Sequence, residues 1–499
     1  MKNRHTWGME KKETIPQSEK DGQETEQKIA KAKTALQEFR QNLYKYFSHR
    51  ADAIIELIDA LASNTNARSV VELSLSSLFR REYSSVYDAI AHFFVPSDLE
   101  NATQEQRVHE QGLLRLIAPF LTAPEQRKYW LFGTDVTYLP RQFAQTLAER
   151  TFVHCPNAIA GNKPITIGHD YSILSYLPEK TSTGAPPWVV PLIVRRVQST
   201  EKASQVGAEQ IAAIVTDKTL PFQDALCLLV EDSAYSGRKH LATVAILPNT
   251  VSTIRFPGNR VVYCKYECPE GEENTVGHPT WYGDRFDLKD PDTWPEPDET
   301  AVTTFITKKG KTYTAQLEGW HNMVRTGKKD IPMHQYPFTL VRARVLDTDG
   351  NPVFKRDMWL ITIGERRQEL SLVDIWEAYG QRYDVEHFYR YGKQRLLMAA
   401  YQTPDVEREE NWWQIVQLAY VQLWLARSLA EALPNPWERY LPLPEPGCAS
   451  PATVQRDFER IIRQIGTPAQ PPKPRGNSPG RAKGDKPPPR PRQPVIKKG

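Results

Sequence analysis

Apolar residues recur at spacings of three and four from Ile29 onward, with Leu36, Phe39, Leu43 and Phe47 on one face. That period predicts a helix. Ile54, Ile55, Leu57, Ile58 and Leu61 continue it. Further helices are expected over 69–94, with Leu73, Leu78, Phe79, Tyr87, Ile90 and Phe94 as core candidates, and over 105–120. Past Pro124 the period changes. The apolar run 129–132 ends at Gly133-Thr134-Asp135. Residues 164–176 alternate, and 188–194 are β-rich, so both read as strands. A helix is expected over 207–219, a buried strand over 225–230 stopping at Glu231-Asp232, a short helix over 236–244 and a strand over 251–262. Three strands, helix, strand, helix, strand is a mixed α/β layer order.

Residues 263–355 are rich in Thr, Tyr, Lys, Pro and Asp, with strands expected at 301–307, 311–317 and 338–345, then 357–363. They read as an antiparallel β insertion. A long helix is expected over 371–400 and a second, apolar nearly all round, over 412–433. The resulting division is a disordered 1–27, a helical, DNA-binding 28–124, a core in two parts (125–262 and 371–435) around an insertion (263–370), a segment 436–465, and a disordered basic tail 466–499.

The length of 499 residues fits two to four domains at roughly 100–200 residues each. With 40% hydrophobic and 25% charged residues the composition is globular. No run approaches the ~18 apolar residues of a membrane span, and no secretory h-region is visible near the start, so a cytoplasmic setting is expected. Five cysteines make no disulfide framework. Cys264 and Cys268, with His278 nearby, are either a metal knuckle lacking its second half or plain strand cysteines. The net charge of +4 is uneven: residues 466–499 carry nine Lys/Arg against one Asp, a net +8, which leaves the other 465 residues at −4. That tail also holds 10 of 39 prolines. It reads as an extended arm, either a nucleic-acid tether or a solubilising tail.

The chemistry concentrates in YGQRYDVEHFYRYGK. On one continuous helix Tyr379, Arg382, Glu386 and Lys393 fall at about 0°, −60°, −20° and −40°, at ~100° per residue. An acid, two cations and a phenol then share a narrow stripe, either a solvated face or a site. Asp135 and Asp232 stand at the ends of two buried strands, where ligands of such sheets bind. Three carboxylates from two strands and a helix suit two hard divalent cations, which clamp the attacking and leaving oxygens of a phosphoryl displacement.

The spacing Y-x2-R-x3-E-x6-K resembles the signature of DDE transposases of the bacterial insertion-sequence class, and KYWLFGTDVTYL and CLLVEDSAYSG resemble that family's two aspartate blocks. The resemblance spans about 125–432. It implies a ribonuclease-H-like mixed α/β sheet with an antiparallel β insertion, flanked by helical N-terminal and C-terminal regions. It implies Asp135, Asp232 and Glu386 as catalytic ligands of two Mg²⁺ or Mn²⁺ ions, with Glu231 as a rival for the second place. It assigns Tyr379, Arg382 and Lys393 to phosphates of the transposon end. Trp359, in DMWLITIG, stands where relatives that cut through a DNA hairpin stack a flipped base; a core tryptophan is the alternative. The 153 residues between Asp232 and Glu386 also fit that subgroup.

The function implied is cut-and-paste DNA transposition, with terminal inverted repeats and target DNA as partners, a homodimer in the DNA complex, and a nucleoid-associated bacterial setting. A ribonuclease-H-like nuclease of another role and an inactive DNA-binding descendant are the alternatives. Arg80, Arg81 and Arg107 stand on polar faces of the helical region, which is read as gripping DNA, with packing on the next domain as the alternative. His169, Arg195, Arg196 and the cluster Lys308, Lys309, Lys311 are open between site and scaffold.

Overall fold

A computed structural model describes residues 17–98, 100–156, 163–180, 185–266, 281–307, 310–431, 449–474, 482–486 and 488–497. Cys268, His278, Lys308 and Lys309 lie outside them, as do 1–16 of the expected disordered start.

The chain opens with helices α1 (Gln17–Tyr46), α2 (Ala51–Ala62), α3 (Ser84–Ala91) and α4 (Ala102–Ile117). Helix α1 begins twelve residues before the first apolar period, at Gln17, so 17–27 is not disordered. Its start is rich in Glu, Lys and Gln, residues of good helix propensity. The helix expected over 69–94 is broken. Serine side chains there bond nearby backbone, Ser74 Oγ to Val71 O and Leu78 N to Ser76 Oγ, and compete with helix.

The core alternates β1 (Tyr129–Pro140), β2 (Thr151–His154), β3 (Ile165–Tyr176), β4 (Val190–Val197), α5 (Ala203–Val215), β5 (Leu226–Glu231), α6 (Arg238–Ala245) and β6 (Thr250–Phe256). It pairs β4–β3–β1 antiparallel and β1–β5–β6 parallel, the order of a ribonuclease-H-like sheet. The strand expected over 251–262 is two strands, because Pro257 cannot donate to a ladder and Pro257-Gly258-Asn259 turns the chain into β7 (Val261–Lys265). Cys264 is a residue of that strand.

The insertion adds β8 (Tyr282–Asp287), β9 (Glu299–Ile306), β10 (Thr312–Val324), β11 (Phe338–Leu346) and β12 (Met358–Ile363). It is not a separate layer. Strand β12 pairs antiparallel with β6 and extends the core through β11, β10, β7 and β8 into one sheet of twelve strands.

Helices α7 (Leu372–Gln381), α8 (Asp384–Arg395), α9 (Val406–Ala426) and α10 (Pro451–Ile465) follow. Helix α9 is buried on every side from Asn411 to Ala426, as its apolar circumference requires. Gln417 Nε2 donates to Leu192 O at 2.8 Å, tying α9 to β4. Arg40 of α1 bonds Asp59 of α2 and Gln422 of α9, so the N-terminal helices and the core share one interior. Among the described residues, no helix is long and apolar enough to cross a membrane.

The described residues of the basic tail are tied to the body of the protein at several points. Gln470 N donates to Asp52 Oδ1 at 2.8 Å, Arg490 pairs with Asp405 at 2.6 Å, and Ile496 N donates to Arg150 O at 2.8 Å beside edge strand β2. A proline-rich segment leaves its backbone groups unpaired internally, so an open sheet edge can take them up.

Candidate active site

Strands β1 and β5 run parallel in a constant register, from Tyr129 opposite Leu226 to Gly133 opposite Val230. Two residues further along, Asp135 stands in the middle of β1, not at its end, and Asp232 stands just past the end of β5. The same offset therefore sets the two carboxylates side by side on one face, since successive residues alternate. Glu231 falls on the opposite face. It is fully buried and accepts from His240 Nε2 at 2.8 Å and Ser252 Oγ at 2.6 Å, so the rival for the second place is a scaffold residue.

The long helix expected over 371–400 is two helices. Arg382 N to Tyr379 O, Val385 N to Arg382 O and Glu386 N to Tyr383 O are bonds of the tighter three-residue kind, and they separate α7 from α8. Gly380, a weak helix former, lies just before the break. The single stripe predicted from spacing is thereby divided. Tyr379 turns inward and is 2% exposed. Arg382 sits at the joint, Glu386 in the first turn of α8, and Lys393 reaches β1, donating to Thr137 Oγ1 at 2.6 Å and Tyr138 O at 3.0 Å.

Arg382 lies between two of the acids, while Asp232 caps its own turn by accepting from Ala234 N at 2.8 Å. The Arg382 guanidinium lies 3.8 Å from Asp135 Oδ2 and 3.4 Å from Glu386 Oε1. Burial alone would lower its pKa; Tyr379, Asp135, Glu386 and Asp232 together raise it. Asp135 and Glu386 are thus separated by no more than one guanidinium and its contacts. Burial pushes the Asp135 carboxyl up to about 6, with Asp232 and Glu386 adding to the rise while the Val136 N–H and Arg382 oppose it. Tyr389, unforeseen in the sequence, donates to the Asp135 carbonyl at 2.7 Å and fixes α8 against β1.

Among the described residues, no three His, Cys, Asp or Glu side chains are drawn together as ligands of one ion. The donor set nevertheless fits divalent cations. It is all carboxylate, it spans two adjacent strand positions and a helix turn, and a cation already lies among its members.

Trp359 of β12 is 5% exposed and packs against Trp294, with ring centroids 5.2 Å apart at 80°. It also lines a cavity of about 1070 Å³ with Ser233, Arg255, Arg344, Lys355 and Arg356, so it is a core tryptophan with one flank open beside the Asp232 turn.

Other candidates prove structural. His169 Nδ1 meets Glu409 at 2.6 Å and its Nε2 the Ala148 carbonyl, away from the acids. Arg195 and Arg196 are buried on Glu110 and Glu410, both at 2.6 Å. Arg80 and Arg81 pair with Glu56 and donate to the carbonyls of Ala469 and Gln470, and Arg107 pairs with Glu110 and Glu201. Those three arginines are committed to internal carboxylates rather than presented to DNA. Long guanidinium side chains on polar helix faces look the same in sequence whichever partner they take. Lys311 is exposed where 307 and 311 close a hairpin.

A sheet of ribonuclease-H order with carboxylates gathered at neighbouring strand positions defines a nuclease-type enzyme. Residues 42–326, more than half of the sequence, match the family described as DDE superfamily endonuclease, and the chain belongs to that family. Such endonucleases act on DNA with divalent metal ions. The match begins inside α1 rather than at 125, and it ends before Trp359, Tyr379, Arg382, Glu386 and Lys393. No curated protein matches the chain.

Proposed function

We propose that this protein is a DNA transposase that cuts at transposon ends and joins the freed 3′ end to target DNA. The observation carrying this reading is the approach of Asp135 and Glu386 to one guanidinium, that of Arg382, with Asp232 near enough to act on it by charge. In this reading, those three carboxylates hold two Mg²⁺ or Mn²⁺ ions. Bound there, the ions supply charge compensation at the attacked phosphodiester and activation of the attacking oxygen.

The protein's own part is positioning. Tyr389 holds Asp135 through its carbonyl, and the β1–β5 register holds Asp232 beside it. Arg382 neutralises the acids while cations are absent, then turns its fork toward a phosphate when they bind. Lys393, bonded to Thr137 two residues along β1 from Asp135, adds a point charge for the next phosphate, and Tyr379 fixes the Arg382 joint. The open flank of Trp359 offers a face to an unstacked base within a basic cavity.

The test is incubation of the purified chain with DNA carrying both flanks of its own reading frame, with Mg²⁺ or with chelator. End cleavage followed by strand joining supports the reading. Cleavage without joining points to a nuclease of another role, and DNA binding without any metal-dependent cleavage to an inactive descendant.

A further inference from the structure

The turn carrying Asp232 continues into a second basic cavity, of about 740 Å³, lined by α5, the start of α6 and the loop after β10. Three arginines from three separate elements meet there. Arg238 opens α6, Arg260 ends the turn between β6 and β7, and Arg325 follows β10. Arg325 Nη1 donates to Ser236 O at 2.7 Å, and its guanidinium lies over the Phe256 ring at 5.5 Å. Arg238 Nε donates to Thr326 O at 2.6 Å. Burial, with the charges of Arg238 and Arg260, pushes Arg325 down to about 10.

These partners are carbonyls, a hydroxyl and a ring. Among the described residues, none of the three arginines forms an ion pair with a carboxylate. Arg141, Arg195 and Arg196 each meet a carboxylate at 2.7 Å or less, and buried Arg150 spends its guanidinium on four backbone carbonyls, whereas half-buried Arg238 and Arg325 and exposed Arg260 gather around one open cavity. Of the two carboxylates lining the cavity, Glu209 is engaged by Arg195 at 3.1 Å, and Asp330 is exposed at the rim. Like charges held together without a counter-charge repel, and an anion relieves them. A guanidinium fork suits phosphate oxygens.

We propose that the Arg238–Arg260–Arg325 cavity seats the phosphodiester backbone of duplex DNA where it leaves the Asp232 turn. This rests on the reading above only in taking DNA as the substrate.

The test is the affinity of the full chain for unrelated-sequence duplexes in chelator, followed by fluorescence anisotropy across a salt series. Each phosphate contact contributes a slope of about −0.9 in log affinity against log salt. The double variant Arg238→Gln/Arg260→Gln, on partly exposed positions that leave the fold intact, is expected to bind about tenfold more weakly near ~0.1 M salt. Its slope should be shallower by about two, equally for every sequence. Arg325→Lys, keeping charge but losing the fork, is expected to fall between. Unchanged affinity and slope in the double variant, with wild type still binding, overturns the cavity assignment and leaves the proposed function standing. No duplex binding by wild type overturns both. Pyrophosphate that raises the thermal midpoint of wild type but not of the double variant, with the DNA slope unchanged, overturns DNA in favour of a small phosphate ligand.

Discussion

Replacing Arg382 by Gln removes the cation lying among the three acids. The cost through Asp135 has a ceiling set by protonation. With its carboxyl at about 6 in the intact site, the ionised form at pH 7 lies about 1.4 kcal/mol below the protonated one. Once the guanidinium is gone, Asp135 can take up a proton, so the loss through it at pH 7 cannot exceed about 1.4 kcal/mol. Glu386, with 48% of its side chain exposed, adds at most about 1 kcal/mol. The sign in pH follows. A carboxyl raised in the folded state binds more protons folded than unfolded, so its ionisation lowers stability as pH rises. Removing Arg382 raises it further, and the deficit should grow by up to about 1.4 kcal/mol per pH unit above 6. Denaturant unfolding in chelator, wild type against Arg382→Gln, should show a small gap at pH 6 and a larger one at pH 8, with added Mn²⁺ narrowing it. A gap that is the same at both pH values and indifferent to Mn²⁺ would refute the reasoning.

Asp135→Asn, Asp232→Asn and Glu386→Gln are each expected to abolish metal-dependent strand cleavage while retaining DNA binding in a gel-shift assay. Glu231→Gln should instead keep the cleavage site and lose about 1–3 kcal/mol of stability, because the negative charge facing His240 is removed and an amide N–H group is buried where Oε1 has no partner; a dead but fully stable Glu231→Gln would reverse the assignment of faces. Lys393→Ala should weaken DNA binding and make the salt dependence shallower by about one unit. His109, stacked on Phe94 with centroids 4.5 Å apart, is pushed down to about 4 by burial, with Gln414 opposing. It stays neutral while the unfolded chain binds a proton near 6.5, so stability should be complete above 6.5 and fall toward pH 4. His109→Phe should flatten that fall in a pH series of thermal midpoints, and an unaltered profile would exclude His109 as its source.

Much of the frame could be read from the chain, because continuous apolar runs mark buried strands; Asp232 does follow the end of β5, but Asp135 lies within β1, which runs on to Pro140 because its second half is less apolar yet still paired with β3. Glu386 was legible as spacing. What spacing could not supply was the joint at Arg382: a period drawn on one straight helix places Tyr379 beside Lys393, whereas three-residue bonds turn the phenol inward. The choice between Glu231 and Asp232 needed the β1–β5 register. The choice between DNA contact and packing for Arg80, Arg81 and Arg107 could not be made from the chain because acidic partners such as Glu56 and Glu201 are distant in sequence. The same distance hid the second basic cavity, whose arginines come from three elements. The tail's docking depends on backbone groups at a sheet edge, which composition does not encode.

The measurement closest to the central claim is equilibrium Mn²⁺ binding to the full chain, with free Mn²⁺ read by electron paramagnetic resonance. The account expects two Mn²⁺ per wild-type chain, both kept by Glu231→Gln, and at least one lost in each of Asp135→Asn, Asp232→Asn and Glu386→Gln. Wild-type stoichiometry and affinity in all three of those variants would contradict it.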